Sequence, residues 1–156
     1  KGIDLSFNLQ GVQGNKILNL QRRYIANMEG NVNSMVIALD RFQSVENPGN
    51  GQVNRANRKL TGNNSRTSTW HLEDGSYLRM QNITLGYTLP KNFVQKFGLT
   101  SLRLYFSGQN LFTITNYSGY NPEVSNYNSN GSLTPGVDYG SYPLSKTYSF
   151  GLNVSF

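Results

Sequence analysis

The sequence predicts an all-β fold of antiparallel strands, and two features of the chain lead to this prediction. Several stretches alternate apolar and polar residues in steps of two, which is the spacing of a strand with one apolar and one polar face. The connections between these stretches alternate between short and long. The predicted strands cover residues 2–11, 15–28, 76–89, 101–115 and 147–156.

The first two strands are predicted with unequal clarity. In the stretch GIDLSFNLQ, the residues Ile3, Leu5, Phe7 and Leu9 alternate with polar residues. The second stretch, over 15–28, is less regular. Two short helical segments are predicted elsewhere, one in SMVIALDRF and one in PKNFVQKFG, where proline suits the first helical position.

The last three strands alternate more strictly and predict which residues share a face. One face of these strands is apolar and carries Ile83, Leu85, Leu102, Leu104, Leu152 and Val154. The opposite face is small and polar and carries Thr84, Arg103, Ser107 and Asn153. A soluble sheet usually presents Lys or Glu to water, so a face of small uncharged residues, with Asp4 and Arg103 as the main exceptions, is more typical of a wall between lipid and a hydrated lumen.

The connections point to the same architecture. Residues 29–75 and 116–146 form long connections, whereas the other two connections are short. Compact soluble domains rarely contain two structureless loops of that length. Outer-membrane barrels, in contrast, join antiparallel strands by short periplasmic turns and long external loops. We therefore expect five strands of a transmembrane β-barrel; a soluble carbohydrate-binding β-sandwich remains an alternative on patterning alone.

Composition argues against several other classes of protein. Charged residues make up 14% of the 156 residues, below the roughly 25% of a typical soluble domain. The net charge is +6, but the basic stretch RANRKLTGNNSR lacks the aromatic residues that usually accompany a nucleic-acid surface. We interpret this stretch as a solvated loop and expect no nucleic-acid partner.

The residues that catalysis or metal binding would require are scarce. The chain has one histidine and no cysteine. His71, Glu73 and Asp74 lie close together, but a zinc site needs three or four convergent ligands, and Asp-Gly is an ordinary turn pair. We therefore predict a turn before a strand here, and we expect no enzyme activity, no metal and no cofactor.

Three longer motifs carry a family resemblance. The stretches DGSYLRMQNITLGYTLP, LRLYFSGQNLFTITNYSGYNPEV and GVDYGSYPLSKTYSFGLNVSF resemble the carboxy-terminal end of SusC/RagA-type TonB-dependent transporters of Bacteroidota. The resemblance extends in order from Asp74 to Phe156, is looser for residues 1–19, and is absent from 32–66.

This resemblance implies a location and a set of partners. It implies the carboxy-terminal section of a large barrel of about 22 strands in the outer membrane of a Gram-negative bacterium. The barrel would import oligosaccharides or peptides with energy supplied by TonB. Its implied partners are a SusD-type surface lipoprotein, the remaining strands and plug of the same barrel, the β-barrel assembly machinery, and lipid with lipopolysaccharide. A purely structural outer-membrane element remains a further alternative.

Three groups of residues are candidates for function. The candidates for lining the lumen are Asp4, Asn8, Arg103, Tyr105 and Gln109. The candidates for stacking on a substrate or packing against the lid, or simply for stabilising the last loop, are Tyr117, Tyr120, Tyr127 and Tyr139. The candidate assembly signal at the chain terminus is Tyr148, Phe150, Leu152, Val154 and Phe156.

The strand count also predicts a direction for each strand. If the last strand ends at the periplasmic side, five alternating strands make the first one run inward from the cell surface. Lys1 would then stand at the outer mouth of the barrel, and the chain would be the carboxy-terminal portion of a longer polypeptide interrupted in an external loop.

Overall fold

The computed structural model describes residues 2–31, 33–59, 61–127 and 133–156, without the side chains of Asn126, Tyr127 and Leu133. The strands are β1 Ile3–Val12, β2 Lys16–Asn19, β3 Leu72–Asp74, β4 Tyr77–Thr88, β5 Ser101–Gln109, β6 Thr113–Thr115, β7 Ser125–Tyr127, β8 Leu133–Pro135, β9 Val137–Asp138 and β10 Thr147–Ser155. The α-helices are α1 Leu20–Ile25 and α2 Lys91–Val94, and the 3₁₀ helices are Val36–Asp40, Thr69–His71 and Gln95–Phe97.

The chain divides into two compact units. The sheet unit comprises Lys1–Gln13, Ser76–Asn116 and Pro143–Phe156. The loop unit comprises Gly14–Gly75 and Tyr117–Tyr142. Among the described residues, no helix has the length and apolar character needed to cross a membrane.

The sheet unit is an antiparallel sheet in the order β1-β4-β5-β10, with β6 paired to the start of β4. Four of the five predicted strands are therefore present in one sheet, but the one predicted over 101–115 is interrupted: β5 ends at Gln109, and β6 follows as a separate strand beside the start of β4. The prediction of a fifth, over residues 15–28, is wrong: β2 covers only Lys16–Asn19 and pairs with β3 and β9 in a separate three-stranded sheet.

The early end of β2 has a local cause. Asn19 is the N-cap of α1, and its side-chain oxygen accepts a hydrogen bond from the Arg22 backbone N–H at 2.9 Å. The residues that follow, LQRR, are all good helix formers. A capping side chain followed by helix-forming residues therefore converts the predicted strand into a helix.

The two ends of the main sheet differ in what they connect. At one end, which we term the turn end, Ile3 pairs with Tyr87 and Ser101 pairs with Ser155. The Thr88 N–H donates to the Gly2 carbonyl at 2.7 Å at this end. At the opposite end, which we term the loop end, the chain passes into the loop unit after Gln13 and again after Asn116. It returns to the sheet unit at residues 76 and 143.

This topology overturns the predicted direction of the first strand. Because β2 is not part of the sheet, β1 lies directly beside β4 and antiparallel to it. The amino end of β1 therefore lies at the turn end, together with the carboxyl end of β10. Lys1 itself lies outside the described residues, but Gly2 next to it is at the end opposite to the one predicted.

The register of the sheet separates an apolar face from a polar face, as predicted. Residues that pair directly across antiparallel strands point to the same side. The apolar face carries Ile3, Leu5, Phe7, Ile83, Leu85, Tyr87, Leu102, Leu104, Phe106, Tyr148, Phe150, Leu152 and Val154. The polar face carries Asp4, Ser6, Asn8, Asn82, Thr84, Gly86, Thr88, Arg103, Tyr105, Ser107, Gln109, Thr147, Ser149, Gly151 and Asn153. Which face meets lipid stays a prediction.

A β-bulge at Gln81 keeps β4 in this pattern. Asn8 pairs with Asn82, but the next residue of β1, Leu9, pairs with Met80, so Gln81 is left as the extra residue. A bulge of one residue switches which alternate positions face each side. The apolar residues therefore remain on one face, although they occupy even positions before the bulge and odd positions after it.

The loop unit has its own small core. Ile17, Tyr117 and Val124 pack together and are buried, and Asp138 is buried among polar partners. The two short helices predicted from sequence are present, one as the 3₁₀ helix Val36–Asp40 and the other as α2 after Pro90.

Candidate functional site

All five residues predicted to line the lumen lie on the polar face of the main sheet. Two of them form an ion pair: Arg103 Nη2 lies 2.6 Å from Asp4 Oδ2, and Arg103 Nε lies 3.1 Å from Asp4 Oδ1. Asp4 belongs to β1 and Arg103 to β5, so the guanidinium reaches across β4 to make this bidentate contact. The pair balances its own two charges, and the same face also carries Arg79, which lies opposite Gln10 and is buried.

Glycines let long side chains lie flat on the polar face. A Cβ at Gly86 would overlap Arg103 Nη2 and the Asp4 carboxylate, so a larger residue at that position would force the ion pair to shift. A Cβ at Gly151 would stand 2.3 Å from the Tyr105 ring, which lies across β10 there. The Arg103 guanidinium is 5.5 Å from the centroid of the same ring. The four residues thus form one packed row across the sheet.

Nearer the loop end, the polar face becomes a cluster of side-chain amides. Asn8 Nδ2 donates to Gln81 Oε1 at 2.8 Å, across the bulge. These two residues line a concavity together with Asn82, Gln109 and Asn110. Side-chain amides both donate and accept hydrogen bonds, so this cluster can recognise hydroxyl or amide groups. Sequence reasoning identified Asn8 and Gln109 but missed the bulge residue, Gln81.

The loop unit contains a second polar network, centred on Glu73. This carboxylate accepts hydrogen bonds from the Ser118 N–H at 2.9 Å, the Ser118 hydroxyl at 2.8 Å and the Asn19 amide at 3.0 Å. Arg22 Nη1 lies 3.4 Å from it. Burial opposes ionisation of Glu73, but these donors and the Arg22 charge together hold its pKa below the usual value.

The arrangement around His71 does not resemble a metal site. His71 is buried, and its Nδ1 lies 3.1 Å from the Ser68 backbone nitrogen. Burial lowers the pKa of His71, and the charges of Arg22 and Arg23 act in the same direction. Within the residues that the structure describes, no group of three or more His, Cys, Asp or Glu side chains is placed to hold a metal ion. Instead of a simple turn, the 3₁₀ helix Thr69–His71 leads into β3.

Of the four loop tyrosines, Tyr117 is a core residue. It is buried, and its hydroxyl donates to Asp138 Oδ2 at 2.5 Å. Burial and this bond raise the pKa of Tyr117, whereas the bond and the N–H groups of Gly140 and Ser141 outweigh burial and hold the pKa of Asp138 low. Tyr117 therefore stabilises the loop unit and presents no free ring for stacking.

The other loop tyrosines differ from Tyr117. Tyr120 and Tyr139 are exposed, at 67% and 55%, so both rings are accessible to a ligand or a partner. The side chain of Tyr127 lies outside the described residues. Tyr120 borders a cavity of about 330 Å³ whose apolar lining includes Ile25 and Met35. Nothing in the sequence pattern indicated this cavity, because its residues come from distant segments of the chain.

Two surface features agree with their predicted character. The basic stretch is solvated, since Arg55, Arg58, Lys59 and Arg66 are all exposed. In the terminal strand, Phe150 is 83% exposed and Phe156, just beyond β10, is 91% exposed. Tyr148, Leu152 and Val154 share the apolar face with Phe150. The role of these residues as an assembly signal stays a prediction.

Comparison with curated proteins finds TonB-dependent receptors. The chain is 32% identical to TonB-dependent receptor P26 of Formosa agariphila over 158 residues, covering 100% of the chain and 16% of that protein. It is 46% identical over 94 residues to receptor P3 of the same organism, covering 58% of the chain and 9% of that protein. It is 33% identical over 98 residues to SusC of Bacteroides thetaiotaomicron, covering 62% of the chain and 9% of that protein. No protein-family model matches the chain.

The solved structures of similar fold include those of a peptide transporter. The chain superposes on a structure of the RagAB peptide transporter with a TM-score of 0.77 and 26% identity, covering 100% of the chain and 16% of the matched one. The open-open state of the RagAB peptide importer gives a TM-score of 0.74 with 25% identity and the same coverage. The chain thus spans 16% or less of the length of these relatives. The three motifs, the two-faced antiparallel sheet and these matches together show that the chain belongs to the SusC/RagA type of TonB-dependent transporters.

Proposed function

We propose that the chain is the carboxy-terminal section of a barrel of about 22 strands that imports nutrients across the outer membrane of a Gram-negative bacterium. The observation that carries this proposal is the main sheet, whose apolar face is exposed across all four long strands: Leu5 is 60% exposed and Leu152 is 62% exposed. A soluble protein would bury such a face, whereas lipid solvates it.

The outer edges of the sheet support the same proposal. Within the described residues, β1 and β10 each pair on one side only. An open edge in lipid would leave backbone N–H and C=O groups without partners, which costs several kcal/mol for each group. Both edges therefore hydrogen-bond to further strands of the same barrel, and the plug domain is contributed by residues outside this chain.

The corrected topology gives each strand a direction in the membrane. With the carboxyl end of β10 at the periplasmic side, β5 runs outward, β4 inward and β1 outward. The turn end is then periplasmic. Both excursions into the loop unit begin and end at the loop end, which this orientation assigns to the cell surface.

The polar face then forms part of the lumen wall. Asp4 pairs with Arg103 on this face, Arg79 is buried on the same face nearer the loop end, and the remaining groups are mainly hydroxyls and amides. Such a surface tolerates hydrated solutes and can exchange hydrogen bonds with sugar hydroxyls or peptide amides. We infer that Asn8, Gln81 and Gln109 contact substrate or plug in this wall.

The remaining parts of the proposal rest on the relatives. RagAB is described as a peptide transporter and SusC as a TonB-dependent receptor, so peptides are a proposed cargo and TonB the proposed energy source. Oligosaccharides are the other proposed cargo, which the family resemblance implies. A SusD-type surface lipoprotein is the proposed lid. The exposed rings of Tyr120 and Tyr139 are available to it or to cargo.

Affinity purification of the full-length protein tests the proposal. The protein should fractionate with the outer membrane, require detergent for extraction, and co-purify with one abundant surface lipoprotein identified by mass spectrometry. Uptake of its cargo should stop when TonB is deleted. A water-soluble monomer of 17.5 kDa would instead support the β-sandwich alternative and contradict the transporter assignment. A barrel that is extracted with no lipoprotein and shows no TonB-dependent uptake would support the structural alternative.

A further inference from the structure

The connection between β4 and β5 carries two adjacent exposed phenylalanines. We term residues 90–99 the aromatic turn; it contains α2 and the 3₁₀ helix Gln95–Phe97, and Gly98 caps that helix with φ 71°. Phe93 is 50% exposed and Phe97 is 67% exposed, and their ring centroids are 5.5 Å apart. Val94, in contrast, is 1% exposed and packs inward. The turn is therefore anchored by one apolar residue while two larger ones face outward.

The charged residues of the aromatic turn are all basic. Lys91 and Lys96 flank the two rings, and the sequence has no Asp or Glu anywhere from residue 75 to residue 122. Neither lysine pairs with a carboxylate of the described residues. Six basic residues of the sheet unit stand against one acidic residue, Asp4, so this unit carries most of the net charge of +6.

The position of the aromatic turn relates it to the apolar face. The turn connects the carboxyl end of β4 to the amino end of β5, so it lies at the turn end of the sheet. The first apolar residues beyond it are Tyr87 on β4 and Leu102 on β5, and both belong to the apolar face. Exposed aromatic rings, cations and the apolar face of the sheet thus meet at the turn end.

We propose that the aromatic turn is a phospholipid-binding anchor at the membrane–water boundary on the periplasmic side of the barrel. Phe93 and Phe97 enter the glycerol and upper acyl region, and the ammonium groups of Lys91 and Lys96 bind the phosphates of the headgroups. Aromatic rings with basic flanks are the residues that such boundaries favour. The inference rests on the proposed function, because it needs the apolar face to be in lipid.

Spin-label accessibility tests the anchor in the full-length transporter. Single cysteines would be introduced as Phe97→Cys, Gln95→Cys and Leu85→Cys, labelled with a nitroxide, and reconstituted in vesicles of phosphatidylethanolamine and phosphatidylglycerol. The label at 97 should be relaxed more by oxygen, which dissolves in lipid, than by a water-soluble nickel chelate. The label at 95 is the matched control on the same turn and should show the opposite order.

The label at Leu85 separates failure of the anchor from failure of the proposed function. If the label at 85 is accessible to oxygen and the label at 97 is accessible mainly to nickel, the anchor proposal is wrong, but the assignment of the chain to a barrel is unaffected. If the label at 85 is also accessible mainly to nickel, the membrane assignment itself is wrong. Protection of 97 from both reagents would indicate that a protein covers the turn, and this would also overturn the anchor.

The lysines are tested by a second variant. Combining Lys91→Gln and Lys96→Gln with Phe97→Cys should shift the label toward water, seen as a several-fold fall in the ratio of oxygen to nickel relaxation. The same fall should follow when phosphatidylglycerol is replaced by phosphatidylcholine, because the anionic lipid is lost. An unchanged ratio in the double lysine variant would contradict the role of the ammonium groups.

Discussion

Replacing Leu85 by arginine tests the orientation of the sheet most sharply, and its cost follows from the register. Leu85 pairs with Phe106, which lies five residues along β5 from Ser101 at the turn end. At about 3.3 Å per residue and a strand tilt of about 45°, this places Leu85 about 12 Å from the turn end, measured along the membrane normal. The apolar band of such barrels is about 25 Å tall, so Leu85 lies near its middle.

An arginine at that depth on the lipid face should destabilise the barrel by about 2–4 kcal/mol. Leu104→Arg, two residues nearer the turn end, should cost less because arginine can reach the boundary from there. Ser107→Arg serves as the matched control, since Ser107 lies on the polar face one residue beyond Phe106. It should change stability by less than about 1 kcal/mol.

The assay is equilibrium unfolding of the full-length protein in phospholipid vesicles, with urea as the denaturant and heat-modifiable gel mobility as the readout. Equal costs for Leu85→Arg and Ser107→Arg would refute the facing of the sheet. A larger cost for Ser107→Arg would show that the polar face, not the apolar one, meets lipid.

Four further predictions concern the bulge, the loop core, which has two, and the terminus. Deleting Thr84 should lower the outer-membrane level of the protein, because it turns one half of β4 over, whereas deleting Gln81 should not, because removal of the bulge residue leaves Met80, Asn82 and Ile83 in strict alternation; an immunoblot of membrane fractions decides. Tyr117→Phe should speed hydrogen exchange of the loop unit about 10- to 150-fold, because a hydrogen bond to a charged group contributes about 1.5–3 kcal/mol. Asp138 has a lowered folded-state pKa, so its stabilisation is present above about pH 4 and is lost as the pH falls through that lowered value; unchanged exchange protection under acid would contradict this. Deleting Phe156 should lower the membrane level without changing the transcript.

Alternation along the strands was sufficient to predict the two faces of the main sheet. Leu85, Leu104 and Leu152 lie on the apolar side of their own strands because side chains along a strand alternate with a period of two, and the observed register aligns these sides. The polar candidates Asp4 and Arg103 were placed on one face for the same reason. Their direct contact depends on Gly86, whose missing side chain leaves room for the guanidinium, and alternation carries no information about such a contact.

The second strand could not be predicted correctly from alternation. The apolar residues over 15–28 are compatible with a strand, but the Asn19 cap and the following LQRR favour a helix after four strand residues. This single error reverses the direction of β1, because one strand fewer separates it from β10. A count of predicted strands therefore gives the direction of the first strand only when every predicted strand is present in the sheet.

The contacts within the loop unit could not be predicted from the sequence, for a different reason. Asn19 and Glu73 are far apart in the chain and are brought together by the pairing of β2 and β3, and Ser118 joins them from the segment after β6. The pairing of Tyr117 with Asp138 likewise depends on β9. A sequence pattern reports the period of one element, whereas these networks are created by contacts between elements. The exposed tyrosines were identifiable as aromatic, but their exposure was not predictable.

The bulge at Gln81 is an intermediate case. Leu78 and Met80 occupy even positions and Ile83 and Leu85 occupy odd ones, so a switch of period is visible in the sequence once it is sought. The switch predicts an extra residue between positions 80 and 83, and the structure has it at Gln81. The amide of this residue then joins the polar cluster through Asn8.

Electron cryo-microscopy of the full-length protein in lipid nanodiscs would test the central claim most directly. The account predicts that the free edges of β1 and β10 are both hydrogen-bonded to other strands of the same polypeptide, with the Leu85 side chain directed at the nanodisc and the Asp4–Arg103 pair directed at the lumen. A map in which either edge is unpaired, or in which Leu85 packs inside a water-soluble domain, would contradict it.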